Sequence, residues 1–251
     1  MPLVQTPAIV LSYVRYGETS KIVRFATRDL GVQSAIAKGA LRPRSRFGAA
    51  LQLLSGGQAH LLMRENRELH ILTAFDLQHL RVGLATQLPR YTAAAALAEV
   101  MLRFAPPDPH PETFELFQAA LDSLEVAPPA EVPVLGLRLL WLLISALGFA
   151  PALQICARDG APINPEGPLP FNIREGGALC AGCAALLGAN RLPPEARVDL
   201  ERLLDGQASL PGLDARHLAA HQRLLAGYIR CHLAESTALP ALDFWLRRAP
   251  G

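Results

Sequence analysis

Four residues stand at a spacing that can hold a metal ion. Cys156 and Asp159 are separated by two residues, and Cys180 and Cys183 repeat that spacing, with Cys180 placed 24 residues downstream of Cys156. Two such knuckles, each offering two donors, close a tetrahedral site, and both thiolate sulfur and carboxylate oxygen bind zinc. The segment between them is rich in glycine and proline, from Gly160 and Pro162 to Gly176 and Gly177. It has little apolar content of its own and needs a staple to stay ordered. Three thiolates and an Asp leave no open coordination position, so the expected ion is a structural zinc. The alternative is a lapsed site whose cysteines serve as small core residues. Cys231, far along the chain on an expected helix, reads as a buried thiol rather than a ligand.

A second chemistry lies in Lys38 to Phe47, K-G-A-L-R-P-R-S-R-F, which holds Lys38, Arg42, Arg44 and Arg46. No Asp or Glu occurs from Leu30 to Arg64. Guanidinium groups without internal counter-charge repel one another unless they are solvated or a polyanion completes them. A solvated loop and a polyanion site are therefore the two readings. Gly39 and Pro43 place the stretch in a loop. Lys21 and Arg24, on the strand expected at Lys21–Thr27, would extend the same positive face. Tyr13, Tyr16, Phe25 and Phe47 are the nearby aromatics that could stack on bases, and the competing role for them is barrel core.

Enzymatic signatures are missing. The chain has no G-x-x-x-x-G-K-[ST] loop and no H-E-x-x-H helix. The deaminase pattern fails because Cys156-Ala157-Arg158 lacks the Glu and Leu179 replaces the Pro. His217 and His221 stand at helical i, i+4 spacing with no acidic partner in the usual arrangement, which suits a partly exposed helix face. The chain is expected not to be an enzyme.

The elements that must position these residues follow from periodicity. Ala8–Tyr16, Lys21–Thr27, Val32–Lys38, Gln58–Arg64 and Glu68–Leu77 read as strands, with Val23 and Phe25 on one face and Arg24 on the other. In the last strand, Leu69, Ile71, Thr73, Phe75 and Leu77 fall on one side. Five strands in about eighty residues suggest a small closed barrel of oligonucleotide-binding (OB) or SH3-like type. From Leu80 the period becomes helical: Leu88–Phe104, a helix opened by Pro111 and reaching Val126, and Glu131–Leu147 ended by Gly148. Asp214 caps a helix to about Glu235, and Pro240 starts a short last one. The expected class is α+β, with a barrel at 1–80, a helical domain at 81–251 and a zinc-knuckle insertion at about 151–188.

Charge supports the division. Of 24 Lys and Arg and 22 Asp and Glu, residues 1–80 carry ten against five, so the first part is basic and the remainder slightly acidic. The 251-residue chain is 51% hydrophobic, enough for a sizeable core. Val132–Leu147 is apolar but interrupted by Arg138, and reads as a buried helix rather than a membrane span. The start, Met1 to Thr6, lacks a basic leader, and the expected location is the cytoplasm.

In their order along the chain, these residues resemble the RecO family of bacterial DNA repair proteins. The resemblance is carried by V-L-S-Y-V-R-Y-G-E-T-S-K-I-V at Val10–Val23, the Thr27–Gly31 turn, the Lys38–Phe47 run and Leu51-Gln52. It continues in L-G-F-A-P-A-L at Leu147–Leu153, then Cys156, and in G-G-A-L-C-A-G-C at Gly176–Cys183. It implies an OB-fold first domain, a helical second domain and a zinc knuckle. It also implies binding of single- and double-stranded DNA and strand annealing. The implied assembly role is loading RecA onto DNA coated by single-stranded-DNA-binding protein, with RecR as partner, no membrane, and a nucleoid-associated location. Asp159 departs from the family's second Cys, Leu41 and Arg44 vary a commonly more basic run, and Ala238-Leu239-Pro240 lacks an expected Lys-Ser. A protein–protein adaptor whose basic barrel takes acidic peptides, such as the tail of the single-stranded-DNA-binding protein, is the competing class.

Overall fold

The computed structural model describes residues 2–234 and 237–247. The chain divides into two compact units, Met1–Ala127 and Pro128–Gly251.

The first unit opens with β1 (Leu3–Tyr16), β2 (Ser20–Thr27), β3 (Gly31–Ala37), β4 (Gly56–Leu62) and β5 (Leu69–His79). They close into a barrel in the order β1-β2-β3-β5-β4, with β4 returning to β1. The β3–β5 pair is parallel and the others are antiparallel. This strand order is that of an OB-type barrel and removes the SH3-like alternative. Val23 and Phe25 point inward and are fully buried, while Arg24 is exposed. Phe25 stacks on Phe75 at 5.7 Å between ring centroids. Phe47 and Leu51, from the segment between β3 and β4, complete this core. The tip of β1 from Tyr13 to Tyr16 is exposed, as the hairpin runs past the barrel wall.

One strand departs from its expected alternation. In β5 the buried side chains are His70, Leu72 and Phe75, not Leu69, Ile71 and Thr73. The cause is a β-bulge: His60 pairs with Ala74 and Leu61 with Leu72, leaving Thr73 as the extra residue. One inserted residue moves every later side chain to the other face. The Thr73 hydroxyl donates to the His60 carbonyl at 2.9 Å, so the bulge leaves that hydroxyl bonded. His70 is bonded at both ring nitrogens, to Arg64 N–H and Gln33 Oε1.

Three helices complete the unit: α1 (Val82–Ala85), α2 (Leu88–Phe104) and α3 (Pro111–Val126). The β2–β3 turn meets the α2–α3 loop so closely that a Cβ on Gly31 (φ +69°) would lie 2.4 Å from the Pro107 carbonyl. Arg28 bridges Glu115 beside this contact. Arg81, itself left-handed at φ 51°, buries its guanidinium and donates to Leu54 O and Asp122 Oδ1, both at 2.9 Å. It thereby ties the segment before β4 to α3.

The second unit holds α4 (Val132–Ile144), β6 (Leu169–Asn172), β7 (Gly177–Ala178), α5 (Ala181–Leu187) and β8 (Asn190–Leu192), then α6 (Pro194–Leu204), α7 (Ala215–Ile229) and α8 (Pro240–Arg247). Prolines sit at the first turns of α2, α3, α4 and α6, where a missing N–H costs little. A π-helical turn, Ser145–Phe149, continues α4 and contains Gly148 at φ 93°. The stretch Val132–Phe149 is long and apolar enough to cross a bilayer, but half of it is buried inside the protein. Its Arg138 is buried and donates to the carbonyls of Arg202, Ala208 and Ser209 at 2.7–3.0 Å. A helix whose charge is satisfied this way is a core helix. Asp214 caps α7 by accepting from His217 N–H at 2.8 Å. The helix gives way to a π-helical turn at Arg230–Ala234, and its expected end at Glu235 lies outside the described residues.

The paired histidines do not share an exposed face. His217 is exposed, whereas His221 is 3% exposed and neither ring nitrogen has a hydrogen-bond partner among the described residues. Burial lowers its pKa; Asp199 opposes this and His217 adds to it. Below about pH 6.5 the unfolded chain therefore takes up a proton that folded His221 resists, and stability falls as pH drops through that value. His70, also lowered by burial and then by Arg64, acts with the same sign. Urea midpoints at pH 7.5 and pH 5 are expected to show the loss, and His221→Leu to reduce it. An unaltered pH dependence in that variant would remove His221 as a cause.

Candidate metal centre and nucleic-acid interface

The cysteine cluster is assembled by short-range turns. Cys156 N–H donates to Ala161 O at 2.7 Å and Gly160 N–H to Cys156 O at 2.9 Å, with Gly160 at φ +74°, which folds the first knuckle. Cys180 is the N-cap of α5 and its Sγ accepts from Cys183 N–H at 3.4 Å, which forms the second. Ala157 N–H donates to Ala178 O at 2.8 Å and joins the two. The insertion carries regular structure of its own, since β6, β7 and β8 form a small sheet in the order β7-β6-β8. Asn172 turns the β6–β7 hairpin by accepting from the N–H groups of Arg174 and Glu175.

Ligand atoms of Cys156, Asp159, Cys180 and Cys183 all lie within 4.8 Å of one another. Cys156 is buried and Asp159 is exposed at the outer side. Asp159 Oδ1 accepts from Ala161 N–H at 3.0 Å, and Oδ2 accepts from the thiols of Cys180 at 3.3 Å and Cys183 at 3.2 Å. The Ala161 N–H and then the three thiols hold the Asp159 carboxyl well below its ordinary range. The same carboxylate pushes the Cys183 thiol up to about 12. At Cys156 burial opposes ionisation, but N–H groups of Cys180, Asp159 and Arg158 outweigh it and the net shift is downward. The carboxylate and the three sulfurs thus face one another across one small site. Three sulfurs with one carboxylate oxygen suit a soft tetrahedral ion and not calcium or magnesium.

Cys231 is exposed and takes no part, a correction to its expected burial. The residues that seat the insertion carried no sequence signal. Tyr228 OH donates to Gly176 O at 3.3 Å, and His232 Nε2 meets Ile173 O at 2.5 Å. Arg197 on α6 is buried and donates to Asn164 O at 2.7 Å.

The basic residues are placed by the barrel. Lys38, Arg42, Arg44 and Arg46 are all exposed on a series of tight turns, and Arg24 is exposed on the outer side of β2. Among the described residues no carboxylate lies within 4.0 Å of any of these five. Leu41 N–H donates to Thr19 O at 2.8 Å, docking the loop on the β1–β2 turn, and Phe47 anchors its far end in the core. Lys21 is disposed differently. Its ammonium lies 4.0 Å from the centroid of the Tyr13 ring and donates to Leu51 O at 3.2 Å, and burial lowers its pKa. Tyr13 and Tyr16 are exposed, whereas Phe25 and Phe47 are sealed in the core and take no part in stacking on a ligand.

Residues 1–81 match the family model Recombination protein O N terminal, and residues 85–239 match Recombination protein O C terminal. The chain is 38% identical over 205 residues to the DNA repair protein RecO of Anaeromyxobacter sp. (strain K), covering 81% of this chain and 79% of that protein. It is 33% identical over 251 residues to the DNA repair protein RecO of Rubrobacter xylanophilus, covering 96% and 97%.

Proposed function

This chain belongs to the RecO family of DNA repair proteins, and we propose that it is a non-catalytic DNA-binding mediator that anneals complementary strands. In this reading Arg24, Lys38, Arg42, Arg44 and Arg46 contact phosphates, with Lys21 beside them. The single observation that carries it is that an exposed arginine cluster has no carboxylate partner among the described residues. Phosphate contacts release counterions and read no sequence. A cationic surface that screens two strands and holds both loosely lets them search for register without ATP.

The barrel at 1–80 is assigned to the phosphate contacts, and the helical domain at 81–251, with its insertion, completes a chain that also works with protein partners. Those partners are RecR and the single-stranded-DNA-binding protein, with RecA loading as the outcome, in the cytoplasm at the nucleoid. Cys156, Asp159, Cys180 and Cys183 would hold zinc, which supplies a fold staple for the insertion at about 151–188 and no reaction step.

The test is annealing of two complementary oligonucleotides without nucleotide cofactor. With four to five phosphate contacts, affinity is expected to fall by roughly a hundredfold to several hundredfold between about 50 and 200 mM salt. Absence of annealing, or salt-insensitive binding, would reject the reading.

A further inference from the structure

We propose that a groove at the foot of the basic loop is a subsite for unpaired nucleobases, so that this barrel holds a single strand by its bases as well as its phosphates. The inference rests on the DNA-binding reading above and adds to it a discrimination between strand forms.

The groove encloses about 570 Å³ within the first unit. Its walls come from the β1–β2 hairpin, the segment that follows Phe47, and α1 with the start of α2. Two tyrosines line it, Tyr13 and Tyr91, 45% and 39% exposed. Leu54 and Leu84 form a buried apolar base, and Val82 is an exposed apolar rim. Lys21 brings an ammonium against the Tyr13 ring. Among the described residues that line it there is no Asp or Glu. Gly48 and Ala49, which line it, follow Arg46 and Phe47 directly, so the basic loop leads into it.

These features select the ligand. The volume is in the range that takes a nucleotide-sized molecule. Aromatic faces beside an apolar base stack any nucleobase, and an adjacent cation serves its phosphate. Bases inside a duplex are paired and stacked, and cannot present a face. An acidic peptide is the poorer fit: the second cation of the groove, Arg81, is already engaged by Asp122, and Lys21 alone would face several carboxylates.

The experiment uses the full chain, a thymidine oligonucleotide carrying 5-iodouracil, and a duplex of the same length. Irradiation is expected to crosslink the single strand to Tyr13 or Tyr91, mapped by peptide mass spectrometry. Tyr91→Leu, at a surface position that leaves the fold intact, is expected to weaken single-strand binding roughly fivefold to a hundredfold with duplex binding unchanged. Equal loss on both forms, no loss, or crosslinks elsewhere would overturn the subsite while leaving DNA binding in place. If the unaltered protein binds neither form, both readings fall together. If a Glu- and Asp-rich peptide occupies the groove and the oligonucleotide does not, the site is one for protein recognition and the inference is overturned.

Discussion

Arg42→Glu, Arg44→Glu and Arg46→Glu combined in one chain are expected to lower DNA affinity by roughly 10²–10³-fold at low salt and to flatten the salt dependence by about three phosphate contacts. All three side chains are exposed. Their backbone is held by turn hydrogen bonds such as Ser45 N–H to Arg42 O at 3.0 Å, and by Phe47 in the core, none of which the substitution removes. The fold is therefore expected to persist, with thermal stability changed by no more than about 1 kcal/mol. Because the native cluster repels itself, neutral Gln at the same positions should hold the midpoint or raise it slightly while still costing affinity. Titration of single-stranded DNA at several salt concentrations reads both quantities. An unchanged affinity and an unchanged slope would show that phosphates are contacted elsewhere. The loss should be similar on single strands and duplexes, since phosphate contacts do not distinguish them, and this separates the loop from the groove lined by Tyr91.

Cys180→Ala with Cys183→Ala is expected to abolish metal retention and loosen residues 151–188 without disturbing the barrel. The insertion has its own small sheet and is seated by Tyr228 and His232, so part of its order survives the loss of the ion. Structural zinc contributes about 10–16 kcal/mol where a domain is unfolded without it; here the contribution should be smaller, because hydrogen bonds already hold the knuckles. Elemental analysis should fall from about one zinc per chain to none, and limited proteolysis should open new cleavage between Pro151 and Gly188 while the Met1–Ala127 unit stays protected. Chelation of the unaltered protein should reproduce the pattern. Asp159→Cys should slow transfer of the metal to a chromophoric chelator, since a fourth thiolate is a softer donor than carboxylate oxygen. Stoichiometric absence of metal from the purified protein, together with an insertion as resistant to protease as before, would refute the site.

Strand periods, helix starts and the cysteine–aspartate cluster were legible because each depends on neighbours in sequence. Val23 and Phe25 face inward because a strand alternates, and Pro111 and Asp214 open helices because of what a first turn lacks. Cys156, Asp159, Cys180 and Cys183 converge because each pair shares one tight turn, and a single hairpin between them brings the two turns together. The exposed arginine run was legible as well, since nothing nearby in sequence offers a counter-charge.

The remainder depended on partners distant in the chain. No local pattern announces the bulge at Thr73, which exists only in register with His60, so Leu69 and Ile71 do not share a face with Phe75 as simple alternation expects. Nothing local marks Arg81, Arg138 and Arg197 as buried, because the carbonyls that accept from them belong to other parts of the chain. His221 looked like its neighbour His217 until α7 packed that face inward. The groove of Tyr13, Lys21 and Tyr91 joins residues from the first hairpin and α2 that have no common motif. Sequence alone determined the barrel, the helices, the cationic loop and the cluster of three cysteines with Asp159, because short-range geometry dictates them. Tertiary structure decided which charges are buried, which aromatics stay exposed and where the groove beside Tyr13 and Tyr91 opens, because burial is a property of what packs against a residue and not of the residue itself.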